Sequence, residues 1–139
     1  MALVYITRRE RFSAAHRLFD PALSDAENEK IYGPCANPNW HGHNYVLWVT
    51  IAGEIDPGTG YVADLKSLSR IIRARVIEKL DHKNINLEVD FMKGRIVSTE
   101  NLAVGIWEVL EPGISELGVK LHSVKIQETE NNMVEYTGQ

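Results

Sequence analysis

The sequence predicts an α+β domain, a small antiparallel sheet with two helices, in the order β-β-α-α-β-β. Three observations predict it. Runs that alternate apolar and polar residues open and close the chain, three- and four-residue apolar spacing fills the middle, and turn residues separate the segments. The 139 residues contain no repeat, low-complexity stretch or linker, which fits one unit spanning residues 1–139.

The elements follow in order. Residues 4–14 alternate as a first strand. Ser24, with Glu27 three positions on, offers a capping box for a short helix over 24–31. Residues 33–39 hold two prolines, a glycine and two asparagines, which is turn chemistry. A second strand is expected from 44 to 55, with Tyr45, Leu47, Val49 and Ile51 sharing a face. Asp64 caps a helix over 65–80 whose apolar stripe is Leu65, Leu68, Ile72, Val76 and Leu80. A second helix starts after Ser98, carries Leu102, Ala103, Ile106, Val109 and Leu110, and is expected to stop at Pro112-Gly113. Residues 119–128 and 133–137 read as a hairpin turning at Asn131-Asn132, where asparagine tolerates positive φ. Four strands leave exposed sheet edges, which symmetric assembly would cover.

Composition narrows the function classes. With 44% hydrophobic and 24% charged residues, the chain is neither disordered nor collagen-like. Fifteen basic against nineteen acidic side chains give a net charge of −4, which argues against a general nucleic-acid binder. No apolar run approaches the ~18–20 residues of a membrane span, and residues 1–11 lack the apolar core of a secretory signal. A single cysteine, Cys35, rules out an internal disulfide and suits a reducing compartment. A cytoplasmic protein is expected.

A few residues carry chemistry. His41 and His43 flank Gly42 at the entrance of the second strand, so both imidazoles share a face and can meet one metal ion. His16, near the end of the first strand, is the candidate third ligand if the two strands pair, and three neutral imidazoles with an open position make a catalytic rather than a structural zinc site. Spacing alone leaves a second reading, a packed His16 and a solvated turn. Cys35 reads either as a buried, inert thiol or, given the turn residues on both sides, as an exposed one whose thiolate would be favoured beside a metal or a protonated histidine. Asp81-His82 follows the first long helix and reads either as an activating carboxylate-imidazole pair or as a helix C-cap. The pair cooperates only if the terminus is irregular, because neighbours on a helix do not face each other. Glu128 shares parity with Val124 and Ile126, so its carboxylate either projects from an otherwise apolar face, where the N–H donors of a flat heterocycle would satisfy it, or faces solvent.

Six segments in order resemble one family over nearly the whole chain. They are Phe12-Ser-Ala-Ala-His16-Arg-Leu18, Cys35-Ala-Asn-Pro-Asn-Trp-His41-Gly-His43-Asn-Tyr45, Gly53-Glu-Ile-Asp-Pro-Gly-Thr-Gly60, Leu80-Asp-His-Lys-Asn84, Val97-Ser-Thr-Glu-Asn101 and Glu128-Thr-Glu-Asn-Asn132. Together they resemble the 6-pyruvoyl-tetrahydropterin synthase family. The resemblance implies the tunnelling fold, in which three four-stranded sheets close a barrel and two trimers stack as a hexamer with active sites between subunits. It implies zinc held by His16, His41 and His43, and Cys35 as general base activated by Asp81 and His82. It further implies Glu128 gripping the pterin and joining the proton relay, with Ser98, Thr99 and Glu100 lining the pocket. Capping by Ser98 and dipole stabilisation by Glu100 serve the helix at the same time.

The implied substrate is 7,8-dihydroneopterin triphosphate, and the implied partners are that small molecule and further copies of the chain, with no nucleic acid and no membrane. Zn2+ is the one cofactor expected. The family also contains a branch that makes 6-carboxy-5,6,7,8-tetrahydropterin for queuosine biosynthesis and releases acetaldehyde. Five residues between Cys35 and His41 resemble the pyruvoyl-forming enzymes more closely. A non-catalytic pterin-binding ring protein is the alternative from another class. Trp40 stands where several relatives carry a small residue.

Overall fold

The computed structural model describes residues 2–139; Met1, the first residue of the expected unit, lies outside them. The chain opens with two long strands, β1 at Leu3–His16 and β2 at His41–Glu54. They pair antiparallel along their whole length, from Leu3 opposite Glu54 to His16 opposite His41. Between them runs α1, Asp25–Tyr32, started by the expected capping box of Ser24 and Glu27. A short 3-10 turn, Gly33–Ala36, follows it.

After β2 comes α2, Leu65–Ile72, capped by Asp64. The helix continues through a π-helical turn at Arg73–Ile77 and a last α-turn at Glu78–Leu80. The extra residue of the π turn shifts the apolar phase, so Val76 and Ile77 are both buried beside Leu68, Ile72 and Leu80. Leu65, expected in the same stripe, is exposed; it is the first residue of the helix. Two residues that sequence periodicity does not reveal, Lys83–Asn84, form β3 and add a parallel rung to β1 at Ala14 and Ala15.

The long helix α3, Thr99–Glu116, begins at the Ser98 cap as expected but runs through Pro112. Proline at 112 removes the bond to the Glu108 carbonyl, and both residues are exposed, so water satisfies what the ring leaves free. At Gly105 the helix meets the segment before it, since a Cβ there would lie 2.9 Å from the Met92 sulfur. The hairpin of β4, Lys120–Thr129, and β5, Asn132–Tyr136, closes the chain. Its turn residues are Glu130-Asn131 rather than Asn131-Asn132, and neither asparagine takes a positive φ.

The sheet therefore has five strands in the order β3-β1-β2-β4-β5, one more than expected. One face packs on α2 and α3, and the core between them includes Phe12, Tyr45, Leu47, Val49, Ile51, Leu102, Ile106, Leu110, Val124 and Ile126. Among the described residues no helix is long and apolar enough to cross a membrane. Leu80, fully buried at the end of α2, anchors the turn that carries Asp81. Leu80→Ala should lower stability by about 2–5 kcal/mol, read as a lower urea midpoint with an unchanged slope.

Candidate functional site

The β1–β2 register decides where the histidines go. His16 sits opposite His41, and Ala14 opposite His43, so the period of two turns all three imidazoles to the helix side of the sheet. β2 begins at His41, three residues before the expected start, and the two imidazoles lie inside the ladder rather than ahead of it. One ring nitrogen from each of His16, His41 and His43 lies within 4.8 Å of the others. His16 Nε2, His41 Nδ1 and His43 Nε2 are buried and have no hydrogen-bond partner.

Three converging, unpartnered imidazole nitrogens fit a divalent metal ion with nitrogen affinity and leave a further position for an oxygen ligand. The tautomer of His16 is set from behind. Its Nδ1 lies 2.8 Å from the Val97 carbonyl oxygen, which accepts only a hydrogen bond, so Nδ1 carries the proton and Nε2 offers its lone pair. Burial above all holds the His16 pKa below its ordinary value of 6.5, with the neighbouring histidines adding to the effect. Burial and then His43 do the same for His41.

Glu128 enters from β4. It is the extra residue of a β-bulge between the Gln127–Met133 and Thr129–Asn132 pairs of the hairpin, a device that re-aims a side chain. Its carboxylate accepts a hydrogen bond from the Thr99 hydroxyl and lies 3.7 Å from His16 Nε2. With His16 held neutral this is a polar contact and not an ion pair. Tyr45, on the next inward position of β2, is 1% exposed. Burial first, and the charge of Glu128 second, push its phenol well above the ordinary value.

Thr99 is buried, Ser98 accepts a hydrogen bond from the Asn101 backbone at 3.1 Å, and Glu100 is exposed in the first turn of α3. The structure thus brings His16, His41, His43, Glu128 and Thr99 together, and puts Ser98 to work as a cap.

Cys35 is half-buried in the 3-10 turn. Its carbonyl accepts a hydrogen bond from the Leu18 backbone at 2.8 Å, and the Arg17 Nε donates to the Ala36 carbonyl at 2.8 Å. The Arg17 backbone is in turn tied on both sides to the Asn86 amide, at 2.9 Å each way. Arg17 and Asn86 therefore hang the cysteine turn from the residue next to His16. Sequence spacing gave no signal for either, because both act through backbone atoms far along the chain.

Asp81-His82 forms the irregular terminus its cooperation requires. Asp81 is extended, His82 takes a left-handed φ of 61°, and His82 Nδ1 meets Asp81 Oδ2 at 3.0 Å. The Ser13 backbone N–H, foremost, holds the Asp81 carboxyl below the usual carboxylate range. The pair stands along the edge of β1, bonded to the Ser13 backbone just ahead of β3, with the His82 side chain 84% exposed. Among the described residues no hydrogen bond joins it to Cys35 within the chain. Trp40, at φ 68°, holds a backbone conformation that costs a non-glycine residue roughly 1–2 kcal/mol, directly ahead of His41.

The family profile described as 6-pyruvoyl tetrahydropterin synthase matches residues 5–139. The 6-pyruvoyl tetrahydrobiopterin synthase of Homo sapiens is 46% identical over 134 residues, covering 96% of this chain and 91% of that protein. The enzyme of the same name from Dictyostelium discoideum is 46% identical over 136 residues, 98% of this chain and 97% of its own. The solved structure of Caenorhabditis elegans 6-pyruvoyl tetrahydropterin synthase superposes with a TM-score of 0.93 at 41% identity, covering 100% of this chain and 98% of that one.

Two outcomes follow from the site as built. Because His16 and His41 hold protons less tightly when folded, the unfolded chain takes them up first as the pH drops below 6.5. The metal-free protein should therefore lose thermal stability on acidification from about pH 7.5 to 5, and a flat profile would show that the imidazoles are not buried neutral. Arg17→Ala should speed hydrogen exchange across residues 33–38 while leaving zinc uptake unchanged, as mass-resolved exchange can read.

Proposed function

The chain belongs to the 6-pyruvoyl tetrahydropterin synthase family, and from that premise we propose that it is a zinc-dependent lyase converting 7,8-dihydroneopterin triphosphate to 6-pyruvoyl-tetrahydropterin with loss of triphosphate. Residues 1–139 act as one domain of this family. The observation that carries the proposal is the set of three buried, unpartnered imidazole nitrogens beside Glu128. A structural core has no use for such a set, and a reaction that develops charge on side-chain oxygens does.

His16, His41 and His43 would hold the zinc ion, which when bound supplies Lewis acidity to the oxygens of the pterin side chain. Glu128, on the same inward parity of β4 as Val124 and Ile126, accepts the paired N–H donors of the ring and orients the side chain toward the histidines. Thr99 keeps the carboxylate in place by its hydrogen bond. Ser98 fixes the start of α3, and with Glu100 it completes the wall around the ring. Cys35, as thiolate, removes a side-chain proton and returns it to another carbon, so the electrons rearrange within the substrate and the phosphate departs by elimination.

Asp81 and His82 are the activating partners of the thiol. The carboxylate orients the imidazole and stabilises its charge. Their separation from Cys35 within one chain supports a site completed between copies. The edges support it too, since β1 pairs with β3 only at Ala14 and Ala15, and β5 has no outer neighbour. The resemblance to the family supplies the count, and we propose a hexamer of two stacked trimers in which one subunit's Asp81-His82 meets another's Cys35.

The test is a product assay on zinc-loaded protein. Expected are 6-pyruvoyl-tetrahydropterin by mass and no acetaldehyde; a carboxylated pterin with stoichiometric acetaldehyde would assign the other branch of the family. Cys35→Ala should keep about one zinc per chain and lose at least ~100-fold in turnover. Activity that survives the loss of the thiol would remove Cys35 as the base.

A further inference from the structure

Four buried side-chain nitrogen or oxygen atoms among the described residues have no hydrogen-bond partner: His16 Nε2, His41 Nδ1, His43 Nε2 and the Tyr45 hydroxyl. Three are the imidazole set. The fourth belongs to the next residue on the same inward face of β2, and the rings form a ladder. His41 and His43 are 5.0 Å apart by centroid, His43 and Tyr45 are 5.5 Å apart, and Tyr45 stands edge-on to His16 at 6.1 Å. Phe12 stacks on the Tyr45 ring at 4.8 Å, with 13° between planes. That contact needs the ring and not the hydroxyl. Burying a hydroxyl with nothing to bond is a net cost that phenylalanine at the same position would avoid.

Two donors at the site are already spent. The Thr99 hydroxyl is given to Glu128, and the inward ring N–H of His16 to Val97. Glu128 is an acceptor, and the three free imidazole nitrogens face one another. The Tyr45 O–H is a further buried donor without a partner, carried by the ring next to His43 on the same inward face of β2.

The geometry points to Tyr45 as a further substrate-contacting residue: its hydroxyl donates a hydrogen bond to a side-chain oxygen of the bound pterin. This rests on the pterin reading given above and extends it, by separating the residue that reads the side chain from Glu128, which reads the ring. The contact strengthens as negative charge gathers on that oxygen, so it serves turnover as well as binding.

Tyr45→Phe tests it, because the substitution keeps the Phe12 stack and removes one atom. Three quantities are measured on the zinc-loaded variant and wild type: zinc per chain, fluorescence-monitored affinity for neopterin, and affinity for pterin without a side chain. The thermal midpoint of the metal-free forms is the fourth. Expected are equal zinc, a midpoint unchanged or higher by a few degrees, neopterin affinity weaker by about tenfold, and unaltered affinity for the bare pterin. Unchanged neopterin affinity, an equal loss for both pterins, or a midpoint that falls by several degrees would each overturn the assignment. If wild type binds neither pterin, the pterin reading itself fails and this inference falls with it. If wild type binds neopterin and the variant matches it, only the role of Tyr45 is lost.

Discussion

The β1–β2 ladder is the constraint on which the rest depends. Fourteen residues on each side pair without a break, and the ladder ends at the rung that puts His16 against His41. A slip of one residue would send every inward side chain to the other face, taking the imidazoles, Tyr45 and Phe12 out of the core together. The burial of Leu47, Val49 and Ile51, each fully enclosed, opposes that slip. The hydrophobic pattern that folds the sheet is therefore also what aligns the site, and the two cannot drift independently.

Sheet and helix meet at residues 97–99. Val97 sets the His16 tautomer through its carbonyl, Ser98 caps α3, and Thr99 bonds the Glu128 carboxylate. Three successive residues thus tie the start of the longest helix to two different strands. The close approach at Gly105 helps to seat that helix, since any side chain there would press on Met92 and Phe91. Rigid elements hold the inward residues, while the thiol hangs from backbone hydrogen bonds in a turn.

Much of this was legible in the residues, and what was not has identifiable causes. Period-two alternation exposed both long strands, and the capping residues Ser24, Asp64 and Ser98 marked three helix starts, because these signals are local. β3 escaped because two residues carry no period. The continuation of α3 past Pro112 escaped because proline's cost depends on which side of the helix the freed carbonyl faces. The π turn escaped because Leu65, Leu68, Ile72, Val76 and Leu80 keep three- and four-residue steps that an uninterrupted α-helix also satisfies. At the site, the histidines and Glu128 were visible by parity, whereas Arg17, Asn86 and the Val97 carbonyl act through backbone atoms that no spacing rule addresses. Tyr45 looked like a core aromatic, and only its unpartnered oxygen separates it from one.

The bulge at Glu128 gives the hairpin an unequal tolerance for two kinds of genetic change. A codon swap at 128 alters the functional group and leaves its direction intact, so ligand preference at that spot is open to gradual revision. Loss of a single residue such as Gln127 would instead turn the side chain toward the opposite face of the sheet.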